Sequence, residues 1–182
     1  MESPRPTASD RESVIDPLDE SVDHVRGPAN VALIVEYGDY ECPYSRQAFR
    51  SIQQVEAQLS EGIRFAFRHF PLTEIHPHAL AASCAAEAAA LQDRFWEMHE
   101  LLFHRQRALE DDDLRRYAIE LGLDGQRFER DRGGEAVLER IRRDVRSGTA
   151  SGEVHGTPTL FIDGVVHRGG YDVETLLGVL SG

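Results

Sequence analysis

The sequence predicts an α/β protein whose sheet is built in two separated parts, a βαβ unit first and a ββα unit last, with an all-helical insertion between them. Three observations carry this reading. A continuous strand-like run, a helical stripe and an alternating run follow one another between Val31 and Arg68. From Pro77 to Ser147 the apolar residues recur only at helical spacing. Two short β-prone runs then flank Asp163-Gly164, a strong two-residue hairpin signal.

Taken in order, Val31-Ala32-Leu33-Ile34-Val35 suits a strand buried on both faces. Pro43 is favoured at a first helical position, and Phe49, Ile52, Val55 and Leu59 share one stripe of the helix it opens, which Glu61-Gly62 ends. Ile63, Phe65 and Phe67 alternate with Arg64, Ala66 and Arg68 as a second strand, and strand–helix–strand implies a parallel pair with a right-handed crossover. Ala79 to Leu91 is alanine-dense, and Leu91, Phe95, Met98 and Leu102 continue an apolar stripe. Asp111 to Asp113 place acids at the positive end of the helix bearing Leu114, Tyr117, Ala118 and Leu121. Gly122 and Asp124 punctuate, and Ala136, Val137, Ile141 and Val145 mark the final segment of the insertion. Thr159–Ile162 and Val165–His167 pair as strands, and Asp172 caps a helix carrying Leu176, Leu177 and Leu180. The predicted organisation is a flexible tail over 1–21, a sheet domain made of 22–75 and 150–182, and a helical insertion over 76–149.

Composition narrows the function classes. At 182 residues with 41% hydrophobic content, the chain fits one folded domain with a helical elaboration. Its net charge of −12 repels phosphate backbones, which excludes nucleic acid and anionic membrane surfaces as partners. The bland reading of that charge is a solvated surface. Apolar runs such as Val31–Val35 are too short to cross a bilayer, and Met1–Pro28 has no stretch resembling a signal peptide. Two cysteines, Cys42 and Cys84, make no disulfide framework, so the expected compartment is the reducing cytoplasm.

Cys42 carries the chemistry. It stands where a buried strand hands over to a helix, with Pro43 next, so the unpaired amides and positive dipole end of the helix point at its sulfur. Both favour the thiolate, which is the nucleophile. Ser45, three residues on, can turn its hydroxyl toward that sulfur. A buried cysteine acting as a small hydrophobe is the alternative, and the strand–Cys–Pro–helix order disfavours it. Thr157-Pro158 lies between Gly156 and a strand; beside a thiolate it is expected to be cis, with a backbone edge for an extended substrate. His69, His76, His78, His99 and His104 show no metal-ligand spacing and are read as loop and packing residues, so no metal is assigned.

Several segments resemble the DsbA-like thioredoxin-fold family: Val35–Tyr44 (VEYGDYECPY), Arg68–Leu72 (RHFPL), His76–Ala79 (HPHA), Phe95–His99 (FWEMH) and Gly156–Thr159 (GTPT). They are most similar to a bacterial subgroup found fused to the C-terminus of sodium–proton antiporters. The resemblance spans roughly His24 to Leu180. It implies a thioredoxin fold and thiol–disulfide oxidoreductase chemistry, with Cys42 at the nucleophile's position and Pro158 at the cis-proline's. It also sets Glu36 at the position of a buried proton-moving carboxylate, the alternative being a strand-end glutamate reaching solvent. Tyr44 matches a position that tunes the thiol and contacts substrate, and His155 precedes the proline loop, where a cation would assist the thiolate or lie incidentally at the surface.

One departure limits the mechanism. The redox enzymes of the family carry a second cysteine where this chain has Ser45, so the motif is monothiol, and a mixed disulfide on Cys42 cannot be expelled from within it. Cys84, set among Ala81, Ala82, Ala85 and Ala86, reads as a core cysteine more readily than as a resolving thiol. Three functions compete: monothiol exchange with protein or small-molecule thiols and disulfides, with glutathione as candidate co-substrate and no resident cofactor; a kappa-like glutathione transferase or isomerase using Ser45; or a redox-inactive binding and regulatory module.

Overall fold

The computed structural model describes residues 15–59 and 61–181. Most of the predicted tail, 1–14, lies outside them. Residues 15–21 are not a tail: Ile15 is buried against the sheet with Leu18 packed beside it, and the carbonyls of Asp16 and Pro17 accept from the Arg68 guanidinium.

The sheet has five strands in the order β1-β3-β2-β4-β5. At its centre, β2 (Leu33–Gly38) runs parallel to β3 (Arg64–His69) and antiparallel to β4 (Thr159–Ile162). The predicted first strand is therefore displaced toward Gly38, since both neighbours supply ladder partners through Glu36 and Tyr37. The short edge strand β1 (His24–Arg26), which no periodicity announced, pairs antiparallel with β3. At the opposite edge β5 (Val165–Val166) pairs with β4 across Asp163 and Gly164, both at positive φ, as a tight hairpin requires.

The alternation of β2 and β3 sorts two cores. Ile34, Phe65, Phe67 and Leu160 face α1 (Pro43–Gln58) and α7 (Val173–Leu180), through Phe49, Ile52, Val55 and Leu176. That core runs on without a break into the helices between β3 and β4: α2 (Ala79–Ala90), α3 (Phe95–His104), α4 (Asp111–Glu120) and α5 (Gly125–Arg132). The predicted insertion thus resolves into these and α6 (Glu135–Ser151), with α5 capped by Asp124 where only punctuation was foreseen. On the opposite face Val35, Tyr37, Ala66 and Phe161 meet Ile15 and Val154. The end of α6 closes on this face because Gly148 has no side chain; a Cβ there would stand 3.0 Å from the rings of Tyr37 and Phe70.

Arg68, assigned to the polar side of an alternating strand, is buried. Its guanidinium makes paired bonds of 3.0 and 2.9 Å to the Asp23 carboxylate and a third to the Tyr37 hydroxyl. Burial opposes ionisation of Asp23, yet the Arg68 bonds hold its carboxyl below the ordinary value. Removing one partner strands the other charge in the interior. Asp23→Ala is therefore expected to cost about 3–5 kcal/mol in urea-induced unfolding; a loss under about 1 kcal/mol would place the pair among solvent-screened ones.

Candidate active site

The turn from Asp39 to Cys42 joins β2 to α1, and Asp39 organises it from inside. Its buried carboxylate accepts the Glu41 N–H at 2.8 Å and the Leu72 N–H at 2.9 Å, and pairs with His76 Nδ1 at 2.7 Å. Its carbonyl accepts the Cys42 N–H, and its own N–H donates to Ser45 Oγ at 3.2 Å. Glu41 in turn accepts the His78 N–H and pairs with His78 Nδ1, which raises that imidazole above its usual value. From beyond α3, Gln106 Nε2 donates to the carbonyls of Tyr40 and Cys42, at 2.8 Å each.

Cys42 is the N-cap of α1, with Pro43 opening the helix, and its carbonyl accepts the Arg46 N–H. The residue is 3% exposed, and its S–H donates to the Thr157 carbonyl at 3.2 Å. The Thr157-Pro158 peptide is cis, so the two motifs separated by 115 positions meet at one sulfur. Tyr44 stands 61% exposed on the first turn. Alongside runs a cleft of about 380 Å³ lined by His155, Pro158, Leu160, His167 and Tyr171. Burial, with Cys42 and Tyr44 nearby, raises the Tyr171 phenol. Among the described residues no hydrogen bond or ion pair joins His155 to Cys42; His155 is exposed on the cleft wall.

Ser45 lies on the first turn of α1, with its side chain directed at the β2–α1 turn. It is fully buried, and its oxygen serves the Asp39 N–H, because the turn needs an acceptor there. Glu36 does not reach solvent either. It is fully buried in mid-strand between Phe67 and Leu160, and among the described residues neither carboxylate oxygen has a hydrogen-bond partner. Burial pushes its carboxyl up to about 8, against the pull of Arg26. Cys84 packs with Val137 and Ile141 between α2 and α6, and burial raises its thiol to about 11. His99 is fully buried, its Nδ1 bonded to the Tyr40 hydroxyl, and burial holds it well below the usual imidazole range.

Gln106, Tyr171 and the role of Asp39 escaped the sequence. Asp39 stood inside a quoted motif without an assignment, and the Gln106 contacts span 64 and 66 positions with no local pattern.

The Glu36 proton couples to folding. The folded protein holds it up to about pH 8, whereas a freely solvated glutamate releases it near 4.5. The stabilisation is complete below 4.5 and is lost as pH rises through 8. Glu36→Gln is expected to unfold later than the parent at pH 8, with the gap closing toward pH 5 by up to about 1.4 kcal/mol per unit. Parallel stability–pH curves would refute a buried, protonated Glu36.

Comparison with known proteins follows the same residues. The family model of the DSBA-like thioredoxin domain matches residues 33–181. An Na(+)/H(+) antiporter NhaA of Herminiimonas arsenicoxydans is 45% identical over 166 residues, covering 91% of this chain and 26% of the antiporter. An NhaA of Salinispora tropica is 44% identical over 169 residues, again 91% of this chain and 26% of the relative. The chain thus spans about a quarter of these relatives. Among solved structures, a thioredoxin-like oxidoreductase from Silicibacter pomeroyi superposes with a TM-score of 0.77 at 25% identity, over 94% of this chain and 96% of that one. BdbD from Bacillus subtilis gives the same TM-score at 18% identity, over 94% and 97%, and speaks to the fold alone. Among the described residues no helix is long and apolar enough to cross a membrane. With the thioredoxin-type sheet, the helical segment and the Cys42–cis-proline junction in place, this chain belongs to the family of DsbA-like thioredoxin domains.

Proposed function

We propose that this domain is a thiol–disulfide oxidoreductase of monothiol type. The observation that carries the reading is the meeting of Cys42, at the start of α1, with the carbonyl that precedes the cis-proline. The Cys42 thiolate attacks one sulfur of a substrate disulfide or glutathionylated thiol, forming a mixed disulfide and expelling the other sulfur as a thiolate. An external thiol, glutathione in this proposal, then attacks the mixed disulfide. It restores the Cys42 thiolate and leaves with the substrate sulfur as a new disulfide. Glu36, protonated at neutral pH, is a proton reserve behind the turn. The cleft beside Pro158, with Tyr171 in its wall, is where the group attached to the attacked sulfur would lie. The cytoplasm would supply the reducing thiol.

Ser45 as activator of a bound glutathione sulfur is disfavoured, since its side chain is fully buried and does not line the cleft beside Pro158. The antiporter relatives favour a second reading, in which this thiol chemistry reports redox state to a membrane transporter.

Incubation with oxidised glutathione followed by intact-mass analysis is expected to show one glutathione adduct, mapped to Cys42 and abolished in Cys42→Ser. Absence of an adduct on the parent would leave the mechanism without a first step. A second variant tests the missing partner. Ser45→Cys is expected to form a reducible disulfide with Cys42 and to raise dithiol-dependent insulin reduction at least ~10-fold; a pair that stays reduced under mild oxidant would count against the proposed geometry.

A further inference from the structure

Away from the Cys42 turn, three side chains from three elements converge: His24 from β1, His69 from the end of β3 and Glu87 from α2. The Nε2 atoms of His24 and His69 each lie 2.7 Å from the same oxygen, Glu87 Oε1, and the donor atoms of the trio lie within 4.8 Å of one another. His69 is fully buried, Glu87 nearly so, and the His24 side chain is 17% exposed at the rim. The rings are held in place. His24 stacks on Phe95 with centroids 3.5 Å apart, and His69 stands edge-on to Phe67 and Phe95. No sequence spacing announces such a set, and His24 belonged to none of the motifs read above.

The chemistry of the trio is that of a metal ligand set. The site offers one carboxylate oxygen and two ring nitrogens, from three different elements, within reach of a single ion. One side is open. His24 and Glu87 form part of the wall of a cavity of about 290 Å³ bounded by Val22, Ala90, Val137 and Arg140. Arg140 brings the competing positive charge, but its guanidinium pairs with Asp144 at 2.5 Å and Asp23 at 3.9 Å, and its Nε–H donates to the Val22 carbonyl.

We propose that His24, His69 and Glu87 bind a divalent first-row transition ion, zinc above all, with water from the cavity in the fourth position. Ligand atoms on a tetrahedral zinc stand about 3.3 Å apart, so each imidazole withdraws from Glu87 by roughly half an ångström. The rim position of His24 allows this, because β1 is a three-residue edge strand. The ion would clip that strand to α2, independently of the thiol.

The test is titration of chelator-treated protein with zinc by calorimetry, followed by cobalt substitution. One equivalent of zinc is expected, unchanged in Cys42→Ser and weakened about 100-fold in His24→Phe, which keeps the stack on Phe95. Glu87→Gln should weaken it similarly; if that variant fails to fold, the rim variant decides alone. The cobalt form should show the visible bands of a low-coordinate ion without thiolate charge transfer. Failure of the parent to bind, binding unaltered in His24→Phe, or a thiolate band that vanishes in Cys42→Ser would each overturn the proposal.

Discussion

The reactive turn depends on one buried carboxylate. Asp39 gathers the N–H groups of Glu41 and Leu72 and the ring of His76, while its own peptide groups engage Cys42 and Ser45. A buried acid with this many partners is locked, and so are the groups that satisfy it. The loop after β3 is thereby fastened to the turn after β2, and the position of Cys42 follows from the fold rather than from its own side chain. Ser45 belongs to this arrangement as the acceptor of the Asp39 N–H.

Three buried acids in this protein show how environment sets chemistry. Asp39 is surrounded by donors. Glu87 shares one oxygen between two imidazoles. Glu36, only three residues before Asp39 along the chain, has no hydrogen-bond partner at either oxygen among the described residues. Isolation favours the neutral acid at Glu36 and bonds from two imidazoles favour the anion at Glu87, so surroundings set one residue type to opposite protonation states.

Much of the fold was legible because its signals are local. The stripe of Phe49, Ile52 and Val55, the Asp163-Gly164 hairpin and the Asp172 cap each rest on a few neighbouring residues, and each stands where the sequence put it. Cys42 was readable from the helix start that Pro43 marks, and the cis Thr157-Pro158 bond only through its pairing with Cys42 in the family resemblance. What escaped depends on distant pairing. β1 exists as a strand through β3, and Arg68 lies inside through Asp23. Glu36 shows the middle case, in which the sequence left burial and solvent exposure both open: a strand with a partner on each side, covered on both faces, leaves no route to water for a mid-strand side chain.

Gln106 carries a consequence for dissecting the protein. Its amide serves two carbonyls of the turn, one of them belonging to the very residue that caps α1. The core between α1 and α3 is shared in the same way, through stacked Phe49 and Phe103. Cutting the helices between β3 and β4 down to a short loop would therefore not yield a minimal thioredoxin. It would open the apolar side of α1 to water and unfasten the peptide that aims the sulfur, so the smallest unit that retains the site is the whole domain.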